Sequence, residues 1–232
     1  MINFPKCNEE KNKKEREKQE EKEMQKRDKF QKRMIKDLKK NLKIPTIKLL
    51  PNDVYPISQK HSEYSKLPYG KIGTIGEAGC GVLAVEYALR LFNIDIDFEA
   101  LLEECVNKGY RAYIYDENDN IIDGDGTKYT LFDNIAIELK NMKQIFKYAK
   151  KGYPITLLIQ NKVYDQNSEN EWSHFITLIG FDENENAILM DGNKIMDNNK
   201  IEDALVIKPY EEIAPGIRGA WAWDKEKVSK YL

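Results

Sequence analysis

The stretch TIGEAGCGVLAVEYALRLF, Thr74 to Phe92, decides how the rest of the chain is read. Downstream of Cys80, the apolar residues Val82, Leu83, Val85, Leu89, Leu91 and Phe92 recur at helical spacing. Upstream, Gly73, Gly76 and Gly79 mark a turn-rich loop and argue against a helix continuing backward. Cys80 is therefore expected in the first turn of a helix. There, unpaired backbone N–H groups and the helix dipole favour an anion, and a thiol is most easily held as thiolate. The competing reading is a small buried hydrophobe.

The 232 residues suffice for one good-sized domain plus an appendage. No run is long and apolar enough to span a bilayer, and MINFPKCNEE lacks a signal-peptide core, so the cytoplasm is the default compartment and secretion would require a leader already removed. Cys7, Cys80 and Cys105 give neither metal spacing nor a disulfide framework. Cys105 shares a helical face with Leu101, Leu102 and Val106 and reads as core, whereas Cys7 reads as exposed in a polar tail. The formal charge of -2 hides an asymmetry: residues 1–50 carry +8 and residues 51–232 carry -10. That split divides the chain into a charged helical extension with linker, 1–50, and a main domain, 51–232.

Residues 8–43 have the Lys/Glu composition of a solvated helix. Between Glu9 and Lys29 only Met24 is apolar, so that half is not expected to pack as a core helix. Beyond it, Phe30, Met34, Leu38 and Leu42 fall four apart with Ile35 beside them. This stripe can dock on the following domain or on a partner protein. Acidic residues interleaved with the basic ones, and the lack of an aromatic platform, argue against nucleic acid. Pro45, Pro51 and Pro56 punctuate an extended linker.

After a second helix capped by Asp97 and ended by Gly109, residues 110–132 read as irregular and acidic. DENDNIIDGDG lacks the glycine and the glutamate that a calcium loop needs at its sixth and twelfth positions. LFDNIAIELK and MKQIFKYAKKG carry helical periodicity. PITLLIQ, SHFITLIGF, AILMD, DALVIK and GAWAW then read as strands of an antiparallel sheet, which makes the class α+β.

A cysteine nucleophile needs a base, and the chain offers His61, in a loop, and His174, at the start of SHFITLIGF. If DENEN folds AILMD back as a hairpin, paired positions sum to about 367. Asp191 then falls beside His174 on the neighbouring strand, where a carboxylate fixes the tautomer of an imidazole and raises its basicity.

These residues carry a resemblance. ISQKHSEYSKLPYGKIGTIGEAGCGV, GDGTKYTLF, KKGYPITLLI, SHFITLIGFDENENAILMDGN and GAWAW resemble, in order and spacing over about residues 57–223, the papain-like cysteine peptidases of the bacteriocin-processing (double-glycine-leader peptidase) superfamily, above all its stand-alone members. The resemblance implies a papain-like fold with Cys80 as nucleophile, His174 as general base and acid and Asp191 as orienter, no cofactor or metal, and a peptide or protein substrate with a glycine near the scissile bond. Departures are Val82-Leu83 for the family's Pro-Thr, His61-Ser62 for its Asp-Pro, and Met190-Asp191-Gly192 for its Asn-Asp-Pro. The oxyanion donor is open: Thr74 stands where such enzymes place a glutamine, and Gln59 reaches the site if its loop folds back. A deamidase, a transglutaminase-like or peptidoglycan-directed enzyme, and a non-catalytic peptide-binding module are the alternatives.

Overall fold

A computed structural model describes residues 2–7, 13–40, 42–48, 57–61, 63–168, 172–194 and 204–231. The expected boundary at 50/51 and most of the proline-rich linker lie outside these residues.

The helices that bear on the site are α1 (Lys13–Leu38), α2 (Ile75–Ala78), α3 (Cys80–Leu91), α4 (Phe98–Asn107), α5 (Thr130–Ile135), α6 (Met142–Lys150) and α7 (Asn161–Tyr164). The strands are β1 (Ile47–Lys48), β2 (Arg111–Tyr115), β3 (Ile121–Thr127), β4 (Ile137–Glu138), β5 (Ile155–Gln160), β6 (Ser173–Phe181), β7 (Asn186–Met190), β8 (Leu205–Pro209) and β9 (Ile217–Ala222). An antiparallel sheet runs β4-β9-β5-β6-β7-β8, with β1 added against β6. The architecture is α+β and papain-like, with α1 as the charged helix at its N-terminal side.

The sheet is covered on both faces, which is why β5 reads as the unbroken run ITLLI rather than as an alternation. Leu158, Phe175, Trp221 and Trp223 pack in one core with α3 and α4. Leu157, Ile159, Ile176 and Leu178 pack in the other, with Met142, Ile145 and Phe146 of α6 and with Phe30 and Met34 of α1. Burying each of those last two side chains is worth about 1.5–3 kcal/mol. The stripe on α1 thus docks on the chain's own sheet, with Leu38 and Leu42 partly buried and Ile35 exposed.

The charged first half of α1 is mostly exposed, as expected, but it is tethered through its charges. Arg16 pairs with Asp119 and lies 3.7 Å over the Tyr115 ring, and Lys26 sits 3.0 Å from both Asp133 and Glu138. Three other expectations are corrected. Residues 111–127, expected irregular, form the hairpin β2–β3, because buried Arg111 ties it down by donating to the carbonyls of Tyr69, Gly126 and Ile72. Its acidic tip is a turn in which the Asp116 carboxylate accepts the Asn118 and Asn120 N–H groups. The helical reading of LFDNIAIELK ends at Ile135, since Ile137 and Glu138 pair with Ala222 and Trp221 on β9. Cys7 is buried: Phe4 enters the core, the Phe4 N–H donates to Glu104, and the Cys7 N–H donates to Lys108 O at 2.8 Å.

Candidate active site

Cys80 opens α3 as its first residue. The segment before it is not open loop, as the glycines suggested, but the single helical turn α2, which abuts α3 through Gly79. A Cβ on Gly79 would lie 2.7 Å from both the side chain and the carbonyl of Ile75, so only glycine lets the two helices meet there. On the other side of the cysteine, a Cβ on Gly81 would lie 2.4 Å from Thr127 Oγ1. The hairpin β2–β3 therefore packs directly on the first turn of α3, held by a 2.7 Å bond between Thr127 and Tyr69. Those two contacts are the physical content of the Gly-Cys-Gly motif. Beyond it, Gly81 through Leu89 are buried, which explains an apolar run too continuous for a one-sided helix.

His174, the second residue of β6, and Asp191, just past β7, are both buried. Thr177 pairs with Met190 and Leu178 with Leu189, the register anticipated from the turn; a bulge shifts it by one nearer the turn. His174 Nε2 lies 2.7 Å from Asp191 Oδ1. That contact leaves Nδ1 for the thiol, and Cys80 and His174 are close enough for each to shift the other's titration. Asp191 is further fixed by the Tyr164 hydroxyl, which donates to Oδ2 at 2.8 Å, and by the Asn193 N–H, which donates to Oδ1 at 2.9 Å. Burial alone would push the Cys80 thiol up. The hydrogen bond and charge of His174, together with the Phe175 N–H, outweigh it and bring the thiol below its ordinary value. Burial would likewise push His174 down, but its bonds to Asp191 and Cys80 raise it to about 10. Asp191 is held below the usual carboxylate range against its own burial, chiefly by His174. Each of the three shifts favours the charged form of the group concerned.

Gln59 is brought close. Its loop folds back so that its N–H donates to Gly192 O at 2.7 Å, and its side-chain Nε2 donates to Gly76 O at 3.2 Å. Gly76 is the residue four before Cys80, whose carbonyl a continuous helix would offer to the Cys80 N–H. Among the described residues that N–H has no acceptor, and the buried Gln59 Oε1 has no donor. Thr74 is not brought in: its N–H and hydroxyl both donate to Glu77, at 2.7 and 3.1 Å, as a cap on α2. His61 is in a loop, beside Tyr64. Tyr164 was missed in the sequence, and a lone tyrosine after NKV carries no signal that would have found it.

Cys80 is partly exposed, and its open side faces a cavity of about 400 Å³. The hairpin, the Trp172–Phe175 stretch and α1 form its walls. The thiol is therefore reachable by a ligand in a recess rather than on an open surface.

No curated protein and no solved structure matches the chain. A family model does: that of the Peptidase_C39 like family, over residues 51–214, a span that holds Cys80, His174 and Asp191. The chain belongs to the Peptidase_C39 like family and is, by that membership, a cysteine peptidase in kind.

Proposed function

We propose that the protein hydrolyses a peptide or isopeptide bond through a thioester on Cys80. The observation that carries this reading is the convergence of Cys80, His174 and Asp191: the ring lies 2.7 Å from the carboxylate and next to the thiol, which opens on a cavity. The thiolate attacks the carbonyl carbon, and negative charge develops on the carbonyl oxygen. The Cys80 N–H is the donor best placed to receive it, and Gln59 Nε2 is the candidate for a second. The C–N bond then breaks as His174 gives its proton to the leaving amine. Water, deprotonated by the now neutral His174, attacks the thioester; the acid leaves and the thiolate and imidazolium are restored. Asp191 keeps the ring in register and stabilises its charge, and Tyr164 and Asn193 hold Asp191. Neither a metal nor an organic cofactor enters this scheme. A resemblance to the stand-alone double-glycine-leader peptidases would imply a substrate glycine near the scissile bond.

The test is a library of peptides containing Gly-Gly, incubated with the full chain and read by mass spectrometry in H₂¹⁸O. Hydrolysis puts one ¹⁸O on the new carboxylate, whereas transfer to an amine puts none. Cleavage that vanishes in Cys80→Ala supports the reading. Cleavage that survives in Cys80→Ala, or its absence across the library, overturns it.

A further inference from the structure

The cavity at Cys80 is built partly from α1, which lies outside the span matched by the family model. Its lining is not electrically uniform. Three of its cations are already engaged: Arg16 with Asp119, buried Arg27 with Glu23 at 2.8 Å, and Arg218 with Asp28 at 2.9 Å. Asp125, on β3 two residues before the Thr127 that touches α3, has no ion pair or hydrogen bond among the described residues. It is recessed in the cavity yet open to solvent. Glu20, on α1, lines the same cavity and also acts on the Arg16 guanidinium. The two carboxylates feel each other: recess and the charges of Glu20 and Asp123 raise the Asp125 acid above the usual carboxylate range, against Arg111 behind it. The remaining lining cation, Lys128, does not figure among the charges acting on Asp125. Tyr129 and the exposed indole of Trp172 complete the recess with aromatic surface.

An acid without a partner, a second acid lining the same cavity and aromatic faces form a receptor for a cation. We infer that this recess is a substrate pocket selecting a lysine or arginine side chain of the bound peptide, with Asp125 as its principal contact and Glu20 of α1 as the second. The inference rests on the peptidase reading for what the ligand is; the pocket itself stands on the geometry.

The test separates the two. Cys80 in the full chain is modified with the cationic reagent trimethylammonioethyl methanethiosulfonate and with the anionic sulfonatoethyl methanethiosulfonate, and the two rate constants are taken as a ratio. In either case the thiolate forms a mixed disulfide and releases methanesulfinate, so the imidazolium and the thiolate act alike in every variant compared. Dividing by the same ratio for free 2-mercaptoethanol removes intrinsic reactivity. At low ionic strength Asp125→Asn should lower the ratio on the order of fivefold, since one lost charge acts with opposite sign on the two reagents. Adding Glu20→Gln should lower it again, and near-ultraviolet circular dichroism should be unchanged. In parallel, tetrapeptides scanned with Lys or Glu at each position should be cleaved in favour of Lys, and Asp125→Lys should reverse that preference. A ratio that stays put in both variants overturns the pocket whether or not any peptide is cut. A ratio that falls while no peptide is cut supports the pocket and overturns the peptidase reading.

Discussion

Removing the imidazole should turn Cys80 from a reactive thiolate into an ordinary thiol. Burial acts on Cys80 to raise its pKa, and the opposing contributions come from His174 and the Phe175 N–H. In His174→Ala the largest opposing group is gone, so the thiol returns to its ordinary value of 9.0 or above. At pH 7 a thiol of that pKa is ionised to about one part in a hundred. If the wild-type thiol is mostly ionised at pH 7, the ionised fraction falls about a hundredfold. A more basic thiolate is intrinsically a better nucleophile, and a Brønsted slope of about 0.45 returns a little under half of that loss on a logarithmic scale. The net expectation is a rate of iodoacetamide alkylation about tenfold lower at pH 7, with the rate still rising steeply through pH 9. Intact-mass kinetics from pH 5 to 10, with the modified residue located by peptide mapping, give the measurement. Cys105 is the internal control: it is fully buried and burial pushes its thiol far up, so it should stay unlabelled in the native chain. A variant that alkylates at the wild-type rate with the wild-type pH profile would refute the reasoning, because it would mean that His174 does not set the state of the thiol.

Three further outcomes follow from the same geometry. His174 is raised, so its contribution to stability is complete below its ordinary value of 6.5 and is lost as pH rises through about 10; Cys80 is lowered, so its contribution is present above 9.0 and is lost as pH falls through its depressed value. Turnover should accordingly fail on the alkaline side near pH 10, and the stability gap between wild type and His174→Ala should close there in pH-dependent urea melts. Tyr164→Phe removes a charge-assisted bond to a buried carboxylate and should cost about 1.5–3 kcal/mol of stability in urea unfolding; a loss indistinguishable from zero would mean the hydroxyl does not hold Asp191. Met34→Ala empties a fully buried site between α1 and the sheet and should cost about 2–5 kcal/mol, whereas an unchanged urea midpoint would show α1 to be only loosely laid on the body.

What could be read from the sequence is what is local. The helix after Cys80, the cap at Asp97 and the five strand runs all announce themselves by period and punctuation within a dozen residues. The meeting of His174 and Asp191 was legible for the same reason, because one short turn fixes the register between them. What was misread is held by partners far along the chain. The hairpin β2–β3 looks irregular because Arg111 takes the place of an apolar face, and its acceptors include Tyr69 and Ile72, about forty residues upstream. Ile137 and Glu138 become a strand only because β9 lies alongside, and the burial of Cys7 depends on α4.

The cleft makes the same point with a consequence for function. Arg16 meets Asp119 and Arg218 meets Asp28 across 103 and 190 residues, and no local pattern could have announced that a polyelectrolyte-like helix would form a wall at the nucleophile. The matched span 51–214 contains the thiol, the ring and the carboxylate but neither α1 nor Arg218. Chemistry and cleft wall thus come from different parts of the chain. The three reacting side chains are held by glycine contacts, a hairpin register and a buried hydrogen-bond chain, all within the family's span. Part of the wall around the thiol is set by α1, whose exposed charges, unlike buried Arg27, can be exchanged for a fraction of a kcal/mol each without disturbing the core. Substitutions on the cavity-facing side of α1 should therefore alter which ligand enters while leaving the pKa values of Cys80 and His174 where they are. Substitutions at Gly79, Gly81 or Tyr164 should do the reverse.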